Sequence, residues 1–220
     1  KGKPVTRPVQ VSELTNDSVE LGEYKHYMLK EIFEQPQALA NTLEAVCNSQ
    51  SLIPGIFGAE AAAAFAKIDS ILILACGTSH NSGLVARNWL EEIAGIPCNV
   101  EIASEYRYRT SVSNPNTLIV TISQSGETAD TLAALNHAKA IGHAHTLAIC
   151  NVPESAIIRQ SSLRFLTRAG PEIGVASTKA FTCQLTALFI LAMHLGQARE
   201  VLPEKLSREL VQELVRLPGK

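Results

Sequence analysis

The sequence predicts an α/β fold: a parallel sheet covered by helices on both faces. Three observations predict it. From residue 70 onward, apolar runs of strand length alternate with helical segments, the pattern of repeated strand–helix–strand units. The runs "SILILAC" (70–76) and "TLIVTI" (117–122) are continuous rather than alternating, as in strands buried on both faces. Two helical segments end at Gly95 and Gly142, where a left-handed residue closes a helix.

Residues 1–22 hold Pro4 and Pro8, scattered charges and weak alternation. They read as a linker or extended arm, and a start at Lys1 reads as the cut end of a longer protein. One domain is expected over 23–220. In 23–47, Tyr27, Met28, Ile32 and Phe33 recur at helical spacing; Pro36 breaks that helix and a second starts after it. "AEAAAAFAKI" (59–68) is alanine-rich and helical. Strands are expected at 70–76, 98–103, 117–122, 144–150 and 163–167. Helices are expected at 82–95, 128–141, 177–195 (opened by a serine or threonine N-cap) and 203–218.

The bulk numbers set limits. Hydrophobic residues form 46% of 220, enough for a sizeable core. Nineteen basic residues face 21 acidic ones, so no basic excess points to nucleic acid or an anionic membrane. An anionic ligand must be held by local design. Cys47, Cys76, Cys98, Cys150 and Cys183 are scattered without a C-x-x-C pair, which reads as reduced thiols of a cytoplasmic protein. The apolar stretch 185–195 is shorter than the roughly 20 residues of a membrane span and reads as a buried helix.

Two predicted strands run into loops rich in glycine and hydroxyls: "CGTSHNSG" (76–83) and "SQSGET" (123–128). Both lead into a helix, whose first turn offers unpaired N–H groups and the positive end of the dipole. An anion there needs no lysine. Thr78, Ser79, Ser123, Ser125 and Thr128 can add hydroxyl donors, and Gly126 permits close approach. The plain alternative is that "SGET" is only a capped helix start. Neither loop matches G-x-x-x-x-G-K-[ST] or G-x-G-x-x-G, so a small phosphorylated metabolite fits better than a nucleotide. A third segment, "AGPEIGVASTKAF" (169–181), offers Glu172, Ser177, Thr178 and Lys179. It reads either as a loop over the ligand, with Val175 and Ala176 backbone meeting sugar hydroxyls, or as a helix-entry loop capped by Ser177. His80 lies in the first glycine-rich loop. His143 and His145 read as solvated edge residues and Lys179 as a solvated helix start; a phosphate role for Arg107 or Arg109 is a minor reading.

"CGTS" (76–79), "SQSGETADT" (123–131) and "EIGVASTKAF" (172–181) resemble the isomerase half of the glutamine–fructose-6-phosphate aminotransferase (isomerizing), or glucosamine-6-phosphate synthase, family. "KHYMLKEIFEQP" (25–36) resembles the segment joining its glutaminase domain to that half. The resemblance implies a SIS (sugar isomerase) domain: a flavodoxin-like three-layer sandwich around a five-stranded parallel sheet. It implies fructose 6-phosphate held by Thr78, Ser79, Ser123, Gln124, Ser125 and Thr128, with Val175 and Ser177 meeting the sugar. It also implies no cofactor or metal, a homodimer, and a glutaminase domain and second SIS domain outside this chain. The catalytic base would lie in that second domain, because assigning Glu127 or Glu172 would depart from the family. The expectation is a chain that binds sugar phosphate without turnover. Two other classes stay open: a sugar-phosphate sensor, which would need a DNA-binding helix not visible here, and a stand-alone isomerase, which would need its own base.

Overall fold

The computed structural model describes residues 19–44, 46–48 and 50–220. Of the arm expected over 1–22, residues 1–18 lie outside that range. Helices α1 (Tyr27–Phe33), α2 (Gln35–Glu44) and α3 (Ala61–Phe65) lead into the sheet. Then follow β1 (Ser70–Ala75), α4 (Gly77–Ala94), β2 (Cys98–Ile102), α5 (Ala103–Tyr106), β3 (Thr117–Ser123) and α6 (Ala129–Ala140). The chain continues through β4 (His145–Cys150), α7 (Ala156–Gln160), β5 (Leu163–Leu166), α8 (Lys179–Ala198) and α9 (Glu204–Arg216), with a 3₁₀ turn at Leu217–Gly219.

The five strands pair in parallel, in the order β2-β1-β3-β4-β5. This is the flavodoxin-like order, whose ligand crevice lies where the order reverses, between β1 and β3. Ile73 stands opposite Val120 and Leu74 opposite Thr121, so the carboxyl ends of these two strands finish side by side. Every residue of β3 is buried, which accounts for its continuous apolar run.

The two sheet faces have separate cores. Ile71, Ile73 and Ala75 pack with Ala86, Leu90 and Ala94 of α4 and Ala187, Leu188 and Leu191 of α8. Leu72, Leu74, Ile119 and Ala148 pack with α6 and α7 through Ala134, Leu135, Ala138 and Ile157. Each fully buried Leu or Ile contributes about 1.5–3 kcal/mol, so these layers fix where the strand ends lie.

Several expectations shift. The helix after β1 starts at Gly77 rather than 82, so the first polar loop is a helix start. Tertiary bonds override the weak helix propensity of its serines: from α8, Gln184 accepts from Ser82 Oγ at 3.4 Å and donates to Ser79 Oγ at 3.1 Å. Pro36 sits in the first turn of α2, where its missing N–H costs nothing; the break falls at Glu34. The short helices α5 and α7 were not foreseen. Helix α8 spans 20 residues, long and apolar enough by composition to cross a membrane, but 67% of that span is buried inside the domain. Its apolarity is used by the core.

Candidate functional site

The carboxyl ends of β1 and β3 and the segment before α8 enclose a cavity of about 220 Å³. That lies below the ~300–1,000 Å³ of drug-sized ligand sites and suits a small metabolite rather than a dinucleotide. All eight predicted site residues line it: Thr78, Ser79, Ser123, Gln124, Ser125, Thr128, Val175 and Ser177. Cys76, Ile122 and Thr131 complete the lining. Thr131 was missed, although it stands three residues past Thr128, on the same face of a helix.

The lining carries no charged side chain. What it offers an anion is two helix starts. Neither Cys76 at the head of α4 nor Thr128 at the head of α6 caps its helix through the side chain. The plain reading of "SGET" as a capped start therefore fails at the Thr128 side chain. The first-turn N–H groups of both helices lack a side-chain cap from these residues and converge on one cavity, with the positive dipole ends directed there.

The hydroxyls are held in an ordered relay. Gly126 N–H donates to Ser123 Oγ at 2.9 Å, and Ser123 Oγ lies 3.0 Å from Thr128 Oγ1. Either hydroxyl can donate in this pair, and the Thr128 proton is free for a ligand when Ser123 is the donor. Ser123 is buried and borders the cavity beside Thr128. Ser125 is exposed at the tip and accepts from Glu127 N–H at 3.2 Å. Ser79 Oγ accepts from Gln184 Nε2 at 3.1 Å, which frees its own proton toward the cavity. Gly126 has φ +68°, and a Cβ there would stand 2.1 Å from Ser155 Oγ and 2.7 Å from Cys150 Sγ. Only glycine fits this turn.

The third segment is built differently. Glu172 Oε1 accepts from the N–H groups of Thr178 (2.9 Å) and Ala180 (3.1 Å), so α8 is capped from within. Ser177 Oγ donates to Glu172 Oε2 at 3.0 Å. Its proton is committed, and it turns lone pairs to the cavity: an acceptor for a hydroxyl, not a partner for an anion. Ser177 therefore lines the cavity rather than capping α8. Glu127 caps α7, accepting from Ala156 N–H at 2.8 Å. Both nearby carboxylates thus hold backbone.

Other residues part from their expected roles. Lys179 is buried, its Nζ 2.6 Å from Glu34 Oε2, and is not a solvated helix start. His143 is buried rather than at a wet edge, and burial pushes its pKa down. His80 does not line the cavity. Arg107 pairs with Asp130 at 2.7 Å and Arg109 with Glu101 at 2.5 Å, so neither is offered to a phosphate. No cluster of three or more metal-ligating side chains occurs among the described residues.

Comparison with known proteins follows the same lines. The SIS domain family model matches residues 64–194, more than half of the chain. This chain belongs to the SIS domain family. The chain is 57% identical over 98% of its length to the glutamine–fructose-6-phosphate aminotransferase (isomerizing) of Xylella fastidiosa and covers 35% of that protein. It is 56% identical over 99% of its length to the Bordetella parapertussis protein of the same name, again covering 35%. The chain thus spans about a third of the length of these curated relatives. Among solved structures, the C-terminal domain of glucosamine-fructose-6-phosphate aminotransferase from Francisella tularensis superposes with a TM-score of 0.88. The sequence identity is 45%, covering 91% of this chain and 56% of that one. Tagatose-6-phosphate ketose/aldose isomerase from Escherichia coli shares the fold, with a TM-score of 0.62 at 19% identity, over 89% of this chain and 54% of that one.

Proposed function

We propose that this SIS domain is the sugar-phosphate-binding part of the isomerase half of a glutamine–fructose-6-phosphate aminotransferase (isomerizing). Its ligands are fructose 6-phosphate and the product glucosamine 6-phosphate. The observation that carries the reading is the division of labour in the cavity. One side presents Ser125, Thr128, Thr78, Ser79 and two helix starts without a side-chain cap, all donors suited to a phosphate dianion. The other presents Ser177 as an acceptor beside Val175, suited to sugar hydroxyls. Gln124 closes the phosphate side.

The whole enzyme would release ammonia from glutamine, add it to the C2 carbonyl and move a proton between C2 and C1. That transfer needs a general base over the first two carbons. No Asp, Glu, His or Lys lines this cavity, and Glu127 and Glu172 are occupied with backbone. The domain therefore binds and orients the sugar phosphate, while the base comes from a second SIS domain and the ammonia from a glutaminase domain. We further propose a cytoplasmic homodimer. The apolar face of α1, with Met28, Ile32 and the 64% exposed Phe33, supports the pairing; α8 does not, since its apolar residues are in the core.

Titration calorimetry with fructose 6-phosphate tests the reading. Losing one charge-assisted hydrogen bond costs roughly 1.5–3 kcal/mol, so Ser125→Ala/Thr128→Ala should weaken binding at least tenfold. Equal affinity of the variant and the unaltered protein would remove the ligand from the 123–128 loop.

A further inference from the structure

We propose that α1 is a positioning element of the sugar site, with Glu31 holding the 172–178 loop in the shape that meets the sugar ring. The inference rests on the reading of the cavity given above and concerns a residue that does not line it.

Glu31 is 2% exposed and far from the cavity in sequence. Its Oε1 accepts from the N–H groups of Ile173 (2.5 Å) and Gly174 (3.0 Å), and its Oε2 lies 3.2 Å from Gly174 N. A buried carboxylate on two backbone donors is a strong, directional tether. The approach is close: a Cβ on Gly174 would stand 2.5 Å from Glu31 Oε2 and 3.4 Å from the Met28 backbone.

Two further bonds hold the head of α8, directly after the loop, from the end of α1 and the start of α2. Glu34 pairs with the buried Lys179, and Gln35 Oε1 accepts from Thr182 Oγ1 at 2.5 Å. The loop is therefore fixed at its base by Glu31 on one side and Glu172 on the other. Between them the tip is bare: the Val175 side chain is fully exposed, so nothing in the domain packs on it. Its position follows from the tethers. Because Ser177 offers only lone pairs to the cavity, this loop serves the sugar hydroxyls, whereas the phosphate is held by β3–α6. Loosening Glu31 should cost affinity for the sugar while sparing the phosphate.

The test compares Glu31→Ala, Glu31→Gln and the unaltered protein for fructose 6-phosphate and for inorganic phosphate. Glu31→Ala should weaken fructose 6-phosphate about three- to tenfold, and Glu31→Gln, which keeps one acceptor oxygen, should fall between the two. Inorganic phosphate affinity should stay within about twofold, since its contacts are elsewhere. Amide exchange at Ile173 and Gly174 should accelerate. If Glu31→Ala does not fold, Gly174→Ala displaces the carboxylate instead and should show the same selective loss. Unchanged fructose 6-phosphate binding, or equal losses for both ligands, would overturn the proposal. An unaltered protein that binds neither ligand would instead sink the underlying reading of the cavity.

Discussion

A single glycine shows how tightly the site is specified. Gly126 is where β3 turns toward α6, and its N–H starts the relay through Ser123 to Thr128. Its φ of +68° and the nearness of Ser155 and Cys150 leave no room for a methyl group. Gly126→Ala is expected to destabilise the fold by about 2 kcal/mol or more through overpacking and left-handed strain. A chemical-denaturation midpoint unchanged from the unaltered protein would show that the turn tolerates a side chain. The site hydroxyls were legible because serine and threonine cluster right after apolar strand runs. Their proton directions were not, since these depend on partners such as Gln184, 105 residues away in sequence from Ser79. For the same reason Glu31 gave no signal: one glutamate among several on a charged helix acquires meaning only when a loop 142 residues on folds against it.

At the scale of elements, all five strands were legible to within a residue or two: burial leaves apolar runs in β1, β3 and β4, whereas the edge strands β2 and β5 are only partly buried and show as short segments that keep the strand–helix rhythm. The start of α4 was not. Polar "GTSHNS" reads as loop by propensity, and only packing against α8 makes it helical. The four-residue α5 and five-residue α7 are too short to show a period. Helix α1 is the element whose exterior is unexplained by the domain itself, with Phe33 stacked only on Tyr24 at 5.9 Å among the described aromatic contacts. If α1 pairs protomers, sedimentation should give a dimer that Phe33→Asp shifts toward monomer. A monomer at high concentration without any substitution would contradict the pairing.

For the whole molecule, the parallel sheet and its reversal between β1 and β3 place three distant loops around one cavity, and no cationic side chain lines it. Stability should also depend on pH in a defined direction. His194 lies edge-on between Phe57 and Phe65, with ring centroids 5.5 and 5.6 Å away, and burial lowers its pKa. His143 is lowered by burial as well. The unfolded chain takes up these protons near pH ~6.5, while the folded protein resists them. The stability from neutral histidine is thus complete above that pH and declines as pH falls below it. Denaturation midpoints between pH 7.5 and 5.5 should decrease, and His194→Phe should flatten the decline. A midpoint that rises on acidification would contradict this account.

The most direct measurement is a crystal structure with fructose 6-phosphate bound. The account predicts the phosphorus opposite the start of α6, its oxygens within hydrogen-bond distance of Ser125 and Thr128, and ring hydroxyls toward Val175 and Ser177. A ligand seated elsewhere, or a phosphate held by arginine or lysine side chains, would contradict it.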